Sequence, residues 1–289
     1  MPRRLKRPVK TVALTKAEKR TQQAVYAEFK RQGSATNSYL TSKGIHQRLY
    51  SDAQRQRAEH LYKGIEKAKD DIKPPLGMLN QALRDWKRRV AKDRMAKTLQ
   101  KRNVEAGKVG GQIAMLKMGV EVSFNLKNKK LINALKKRGT KIAGVVNDNT
   151  LKRFQKLLVS RYYYHGEDPR EVKRAIKGLF EETYKNRAWT IARTETGAAQ
   201  MEVQVETFKK NDIKRKYWMA IIDDRTRETH VSCTTEGDIP MDERFESNGM
   251  LYPYDGSAPA DEIINCRCDL GIVTVTREEG EDVWAGEDD

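Results

Sequence analysis

Three cysteines, Cys233, Cys266 and Cys268, fall within 36 residues of a 289-residue chain, and His230 stands three residues ahead of the first. The set reads H-x2-C, a 32-residue interval, then C-x-C. Zinc takes four tetrahedral ligands, and thiolate sulfur and imidazole nitrogen are its preferred donors. An x2 spacing lets one turn aim two side chains at one ion, and positions i and i+2 of a strand share a face. The pattern therefore predicts a zinc ion held by His230, Cys233, Cys266 and Cys268. With four protein ligands the ion is structural, because no position is left for an activated water. Two other readings fit the same residues: three buried thiols with His230 at the surface, or one disulfide with a cysteine left over.

Other chemistry is sparse. His46, His60 and His165 do not pair at ligand spacing, and the chain carries no G-x-S-x-G, no P-loop and no H-E-x-x-H. Arg193-Thr194-Glu195 lies between apolar helical turns, and Asp223 and Asp224 follow an apolar segment. These residues predict a structural ion pair of Arg193 and Glu195 with Asp223 and Asp224, tying helix to sheet. The chain is expected not to be an enzyme.

The elements that must position these groups divide the chain. Residues 1–20 carry eight Lys/Arg against Glu18, with Pro2 and Pro8 in the most basic part. They read as a flexible basic arm, with Arg3, Arg4, Lys6, Arg7 and Lys10 directed at nucleic acid or an acidic surface. Residues 21–105 read as an extended helical region with a narrow apolar stripe (Val25, Tyr26, Phe29), interrupted near Gly33–Ser38 and again at Pro74-Pro75. Such helices are expected to need an external partner surface. Residues 106–276 read as a compact unit. Its helices start with a pattern broken at Gly110-Gly111, and a further helix is capped by Asp168-Pro169-Arg170-Glu171. A helix over roughly 184–210, a strand over 216–222, a loop over 236–264 and a closing strand over 270–276 follow. Residues 277–289 hold seven carboxylates against one Arg and read as an acidic tail. The fold class is α+β: an elongated, mostly helical N-terminal region, then a compact helix-plus-small-sheet domain with a structural zinc site.

Charge supports two kinds of surface. Residues 1–150 hold 36 Lys/Arg and 12 Asp/Glu, whereas the whole chain has a net charge of +17, so the remainder is net negative. A basic front seeks polyanions. Hydrophobic residues make up 38% and charged residues 34% of the chain, against about 45–50% and 25% in average soluble proteins. No apolar run reaches the ~20 residues a bilayer-spanning helix needs, and the first residues lack a signal-peptide apolar stretch.

Ile191-Ala-Arg-Thr-Glu-Thr196, Trp218, Asp223-Asp-Arg-Thr-Arg227, His230/Cys233 and Asn265-Cys-Arg-Cys268 together resemble the Mu F-type head morphogenesis proteins, minor head proteins of tailed bacteriophages. The resemblance covers roughly residues 100–276. His230 stands where many members have cysteine, and Ile264 where many have histidine. The resemblance implies a virion component at the portal vertex inside the capsid, acting in head assembly and DNA packaging or ejection. The partners it implies are the portal protein and, further, packaged DNA, scaffold or major capsid protein. The host cytoplasm is the expected location during assembly. A metal-dependent nuclease or toxin-like effector and a zinc-containing DNA-binding protein are the alternatives. The first lacks a paired acid/base set with an open metal position, and the second lacks a recognition helix at finger spacing.

Overall fold

The computed structural model describes residues 12–62, 74, 76–88, 94–120 and 123–274. Arg3, Arg4, Lys6, Arg7, Lys10 and the acidic tail lie outside the described residues, whereas residues 12–20, the rest of the expected flexible arm, are helical, with Glu18 buried.

The N-terminal half is built from long helices: α1 (Val12–Ser42), α2 (Ile45–Tyr62), α3 (Leu76–Trp86), α4 (Arg94–Lys117) and α5 (Lys129–Val159). Helix α1 runs through Gly33–Ser38 without interruption, and the chain turns instead at Gly44, where φ is +62°. Gly33 is there for contact: a Cβ would meet the Phe180 side chain at 2.8 Å. The Gly110-Gly111 pair also lies inside an unbroken helix, α4.

Helix α5 starts at Asn128, whose side chain accepts the N–H groups of Lys130 and Leu131. It ends in a π-helical turn, Ser160–Tyr164. After Gly166 (φ +71°), α6 (Pro169–Gly178) opens with the capping box the sequence predicts: Asp168 accepts from Arg170 and Glu171, and Glu171 accepts the Asp168 N–H. A second π-helical turn, Leu179–Thr183, leads into α7 (Tyr184–Lys210).

Helix α7 is the central post, packed against both α4 and α1, while α4 also packs on α5. Its length is buried from Ala188 to Phe208 on several faces, as expected of a helix surrounded by others. The stripe of α1 is covered from within the chain. Val25, Phe29 and Leu40 are buried in one cluster with Leu49 of α2, Phe154 and Leu158 of α5, Val172 and Ile176 of α6, and Phe180. Phe29 stacks on Tyr184 at 4.4 Å between ring centroids. Leu79, Leu83 and Trp86 of α3 are buried too, and the Trp86 Nε1–H donates to Thr36 Oγ1 at 2.6 Å. Sequence periodicity finds these stripes but not their distant covers, such as Phe180 and Tyr184 for α1 and Phe154 for Trp86 of α3, which lie about 70–155 residues further along the chain. The helices of 21–105 therefore do not form a separate extended region wherever they are described.

Beyond α7 the period changes. Strands β1 (Arg215–Met219), β2 (Asp238–Pro240) and β3 (Asp269–Val273) form an antiparallel sheet in the order β2-β1-β3. Trp218 faces Leu270 across the β1–β3 ladder, and Met219 faces Asp269. Two short helices lie between strands: α8 (Glu228–Thr235) and α9 (Ala260–Ile263). A second core forms where Trp218, Phe245, Met250, Leu270 and Ile272 meet Met201, Val205 and Phe208 of α7. Architecture is thus mostly helical with one small sheet, in agreement with α+β. Among the described residues, no helix is long and apolar enough to cross a membrane.

Candidate metal centre

His230 sits in α8, Cys266 in the turn after α9, and Cys268 immediately before β3. All three side chains are buried, and their donor atoms lie within 4.8 Å of one another. His230 Nδ1 is 3.3 Å from Cys268 Sγ and 3.8 Å from Cys266 Sγ. Tetrahedral zinc with Zn–N and Zn–S bonds of about 2.05 and 2.3 Å sets a nitrogen–sulfur edge of about 3.6 Å. The two observed separations bracket that edge, so the donor set fits the ion.

Electrostatics favour the same use. Cys268 and His230 hold the Cys266 thiol well below the ordinary thiol range, in opposition to burial, and the Cys268 N–H donates to Cys266 Sγ at 3.4 Å. A thiolate is the form that binds metal. The cysteines are not in a disulfide.

Cys233 stands outside this group of three. It is buried on α8, one helical turn after His230, with its thiol towards Glu236 and Ser247. Burial, with the nearby Glu236 carboxylate, pushes this thiol up to about 12.

The structure also explains how two distant segments meet. Arg227 donates to the Ile264 carbonyl at 2.6 Å, and the Thr229 hydroxyl donates to Glu262. Arg267 forms a bidentate pair with Asp223, one arm at 2.5 Å to Oδ2, which holds the Asp223 carboxyl far below the usual carboxylate range. Asn265 takes a left-handed conformation (φ +58°), which Asn tolerates better than most residues. Its N–H donates to Thr194 Oγ1 at 3.1 Å, on α7. Tyr254 is buried and donates its hydroxyl to the Cys266 carbonyl. Gly197 gives that ring room, since a Cβ there would come within 2.3 Å of it. The Ile191–Gly197 stretch is therefore the wall on which the C-x-C loop rests.

The predicted ion pair is not formed as expected. Glu195 is buried and pairs with Arg138 of α5, at 3.0 and 3.1 Å. Arg193 lies over the Trp189 ring at 5.0 Å, Asp223 pairs with Arg267, and Asp224 is exposed in the turn. Arg193 and Glu195 are only two residues apart on a helix, so they point to different neighbours. Sequence reasoning missed Arg138, Tyr254 and Glu262. None belongs to a local motif; each acts across 12 to 57 residues, apart from the four-residue step from Glu262 to Cys266.

Residues 156–271 match the family model described as phage Mu protein F like protein. The chain is also 32% identical over 115 residues to an NAD(+)--arginine ADP-ribosyltransferase, EFV, of Enterococcus faecalis (strain ATCC 700802 / V583). That alignment covers 36% of this chain and 22% of the relative, so the chain spans about a fifth of the relative's length. No solved structure matches. The matched segment runs from the end of α5 into β3 and contains every donor of the candidate centre, so the likeness to the phage Mu protein F like family takes in the Arg-Thr-Glu helix and the Asn-Cys-Arg-Cys turn.

Proposed function

We propose that this chain is a minor head protein of a tailed bacteriophage, a structural component that sits with the portal inside the capsid and acts in head assembly and DNA packaging or ejection. The observation that carries the reading is the family match over residues 156–271. The net charge of +17 supports it, because a basic protein suits a particle filled with DNA. The chain works by binding rather than catalysis. The arginine-directed activity named for the enterococcal relative is left with that protein, of which little more than a fifth is matched.

Within this reading the buried cluster holds one structural zinc ion through His230 Nδ1, Cys266 and Cys268. Cys233 completes the set when its side chain turns from Glu236 and Ser247 towards the cluster. An ion there would clamp α8 to the loop that enters β3, and a structural zinc site contributes folding free energy directly. Its surroundings hold the donors in place: the Arg267–Asp223 pair, the Tyr254 hydroxyl and the Thr194 hydroxyl all fix the same loop.

Mass spectrometry of purified particles, with co-purification of the full chain and its portal after co-expression, tests the assembly reading. The expected result is a low-copy virion component that co-elutes with the portal ring. A chain that is absent from particles and never co-elutes would overturn it. Metal analysis of the full chain is expected to give close to one zinc per chain.

A further inference from the structure

The His230 ring has two nitrogens, and the structure gives each a different neighbour. Nδ1 faces the two sulfurs of Cys266 and Cys268. Nε2, on the opposite side of the ring, has Glu262 Oε2 at 2.8 Å. The oxygen lies at hydrogen-bonding distance from this nitrogen, although the contact is not an aligned hydrogen bond. No other polar atom reaches this buried nitrogen. The carboxylate is itself held, because the Thr229 hydroxyl donates to its two oxygens at 3.3 and 3.1 Å. Trp218 closes the ring from the side at 5.1 Å between centroids in an edge-on arrangement.

We infer that Glu262 is the positioning residue of the centre: it holds the proton of His230 on Nε2 and so leaves the Nδ1 lone pair aimed at the metal. The inference rests on the zinc reading proposed above. A neutral imidazole carries one proton, and the nitrogen that keeps it cannot bind a metal. A carboxylate at Nε2 stabilises an N–H there, so Nδ1 becomes the donor. The same contact explains why α9 exists as a single helical turn. It presents Glu262 four residues ahead of Cys266, so one short segment supplies both a metal donor and the group that orients another donor. Thr229, beside His230 on α8, closes the loop from the other side.

Zinc affinity of the full chain, measured by competition with a chromogenic chelator, tests the inference together with nitrogen-15 NMR of the His230 ring. Glu262→Ala is expected to lower zinc affinity about 10- to 100-fold and to broaden or shift the His230 tautomer signal. Glu262→Gln keeps an acceptor oxygen at the same reach and is expected to recover most of the affinity and the Nε2–H tautomer. Thr229→Val loosens the carboxylate without touching the ring, so a smaller loss in the same direction is expected even if the alanine variant folds poorly. Wild-type affinity and an unchanged Nε2–H tautomer in Glu262→Ala and Thr229→Val would overturn the positioning role while leaving the zinc reading intact. Ligation through Nε2 in the wild-type protein would also overturn it. A wild-type chain that takes up no zinc would overturn the zinc reading and this inference with it.

Discussion

Lys117 Nζ lies 2.7 Å from Asp269 Oδ1, and both side chains are buried, at 1% and 9% exposure. The ammonium donates also to Gln204 Oε1 at 2.9 Å and to the Leu270 carbonyl at 2.8 Å. All three of its protons are thus used. Burial pulls the lysine downward from its ordinary value, and Asp269 opposes that shift. One side chain from the end of α4 therefore reaches α7 and the first two residues of β3. It joins the helical half to the sheet that carries the Cys266–Cys268 loop, since Cys268 directly precedes Asp269.

Removing one member of this pair should cost far more than removing both. Lys117→Met leaves a buried carboxylate that keeps, among the described residues, the Leu270 N–H at 2.9 Å, and a loss of about 3–5 kcal/mol of stability is expected. Lys117→Met combined with Asp269→Leu should recover most of that loss, because no uncompensated charge remains. Urea unfolding of the wild type, both single variants and the double variant checks it. Equal, additive losses would show that the pair is not coupled.

Gly110 is expected to tolerate no side chain. A Cβ at this position would come within 2.3 Å of the Gln200 carbonyl oxygen and 2.6 Å of its Cα, so backbone meets backbone where α4 crosses α7. A neighbouring contact at Gly139 is similar, with the Gln100 nitrogen at 2.7 Å where α5 crosses α4. Alanine normally favours a helix over glycine by roughly 1 kcal/mol, yet here overpacking should outweigh that gain. Gly110→Ala is expected to lower stability by about 1–3 kcal/mol, read as a fall in the urea midpoint. A stabilised variant would mean that the two helices can separate at no cost.

These glycines also show what the sequence could and could not convey. Residues 168–171 predict their capping box from local spacing alone, and 184–210 predicts α7 to the residue, because both signals are short-range. The Gly110-Gly111 pair looks like a helix break for the same short-range reason, since nothing nearby shows that Gln200 needs the space. The grouping of His230, Cys266 and Cys268 was legible from residue type and spacing, but Cys233, expected with them, stands outside the cluster. The orienting groups of the three were not legible: Tyr254, Thr194 and Arg267 act through tertiary contacts to loop backbone or to Asp223. The stripe of α1 was visible as apolar periodicity, but Phe180 and Tyr184, which cover it, lie about 150 residues away.

Stability should fall as the solution is acidified below neutrality, and His46 should be one cause. It is buried and shares a 2.5 Å hydrogen bond between Nδ1 and the Tyr162 hydroxyl. Burial, with a smaller push from Lys173, lowers its value from 6.5 to about 4. Between those values the unfolded chain binds a proton that the folded chain does not, so stability rises with pH there. The contribution is complete above about pH 6.5 and is lost as pH falls towards 4, with on the order of 3 kcal/mol as the upper bound. Urea midpoints measured from pH 7.5 to 4.5 should fall less steeply for His46→Gln than for the wild type. An unchanged slope would assign the acid sensitivity to other groups.

The three cysteines are expected to contribute unequally to metal binding. Cys266 and Cys268 already face His230 Nδ1, whereas Cys233 points to Glu236 and Ser247 and must turn to reach an ion. Cobalt(II) reports this directly, because it replaces zinc and its thiolate charge-transfer absorption grows with the number of bound sulfurs. Cys266→Ser and Cys268→Ser are each expected to abolish stoichiometric binding and to lower the thermal midpoint towards that of the chelator-treated wild type, because structural zinc supplies folding free energy. Cys233→Ser is expected to keep one metal per chain but to bind it more weakly, with the absorption reduced by about one thiolate in three. Retention of the full wild-type spectrum in Cys233→Ser would show that water or another group takes the fourth position. The centre would then be a three-donor site with an open coordination position that could hold an activated water, and metal-dependent hydrolysis by the cobalt- and zinc-loaded chain would be the measurement that follows.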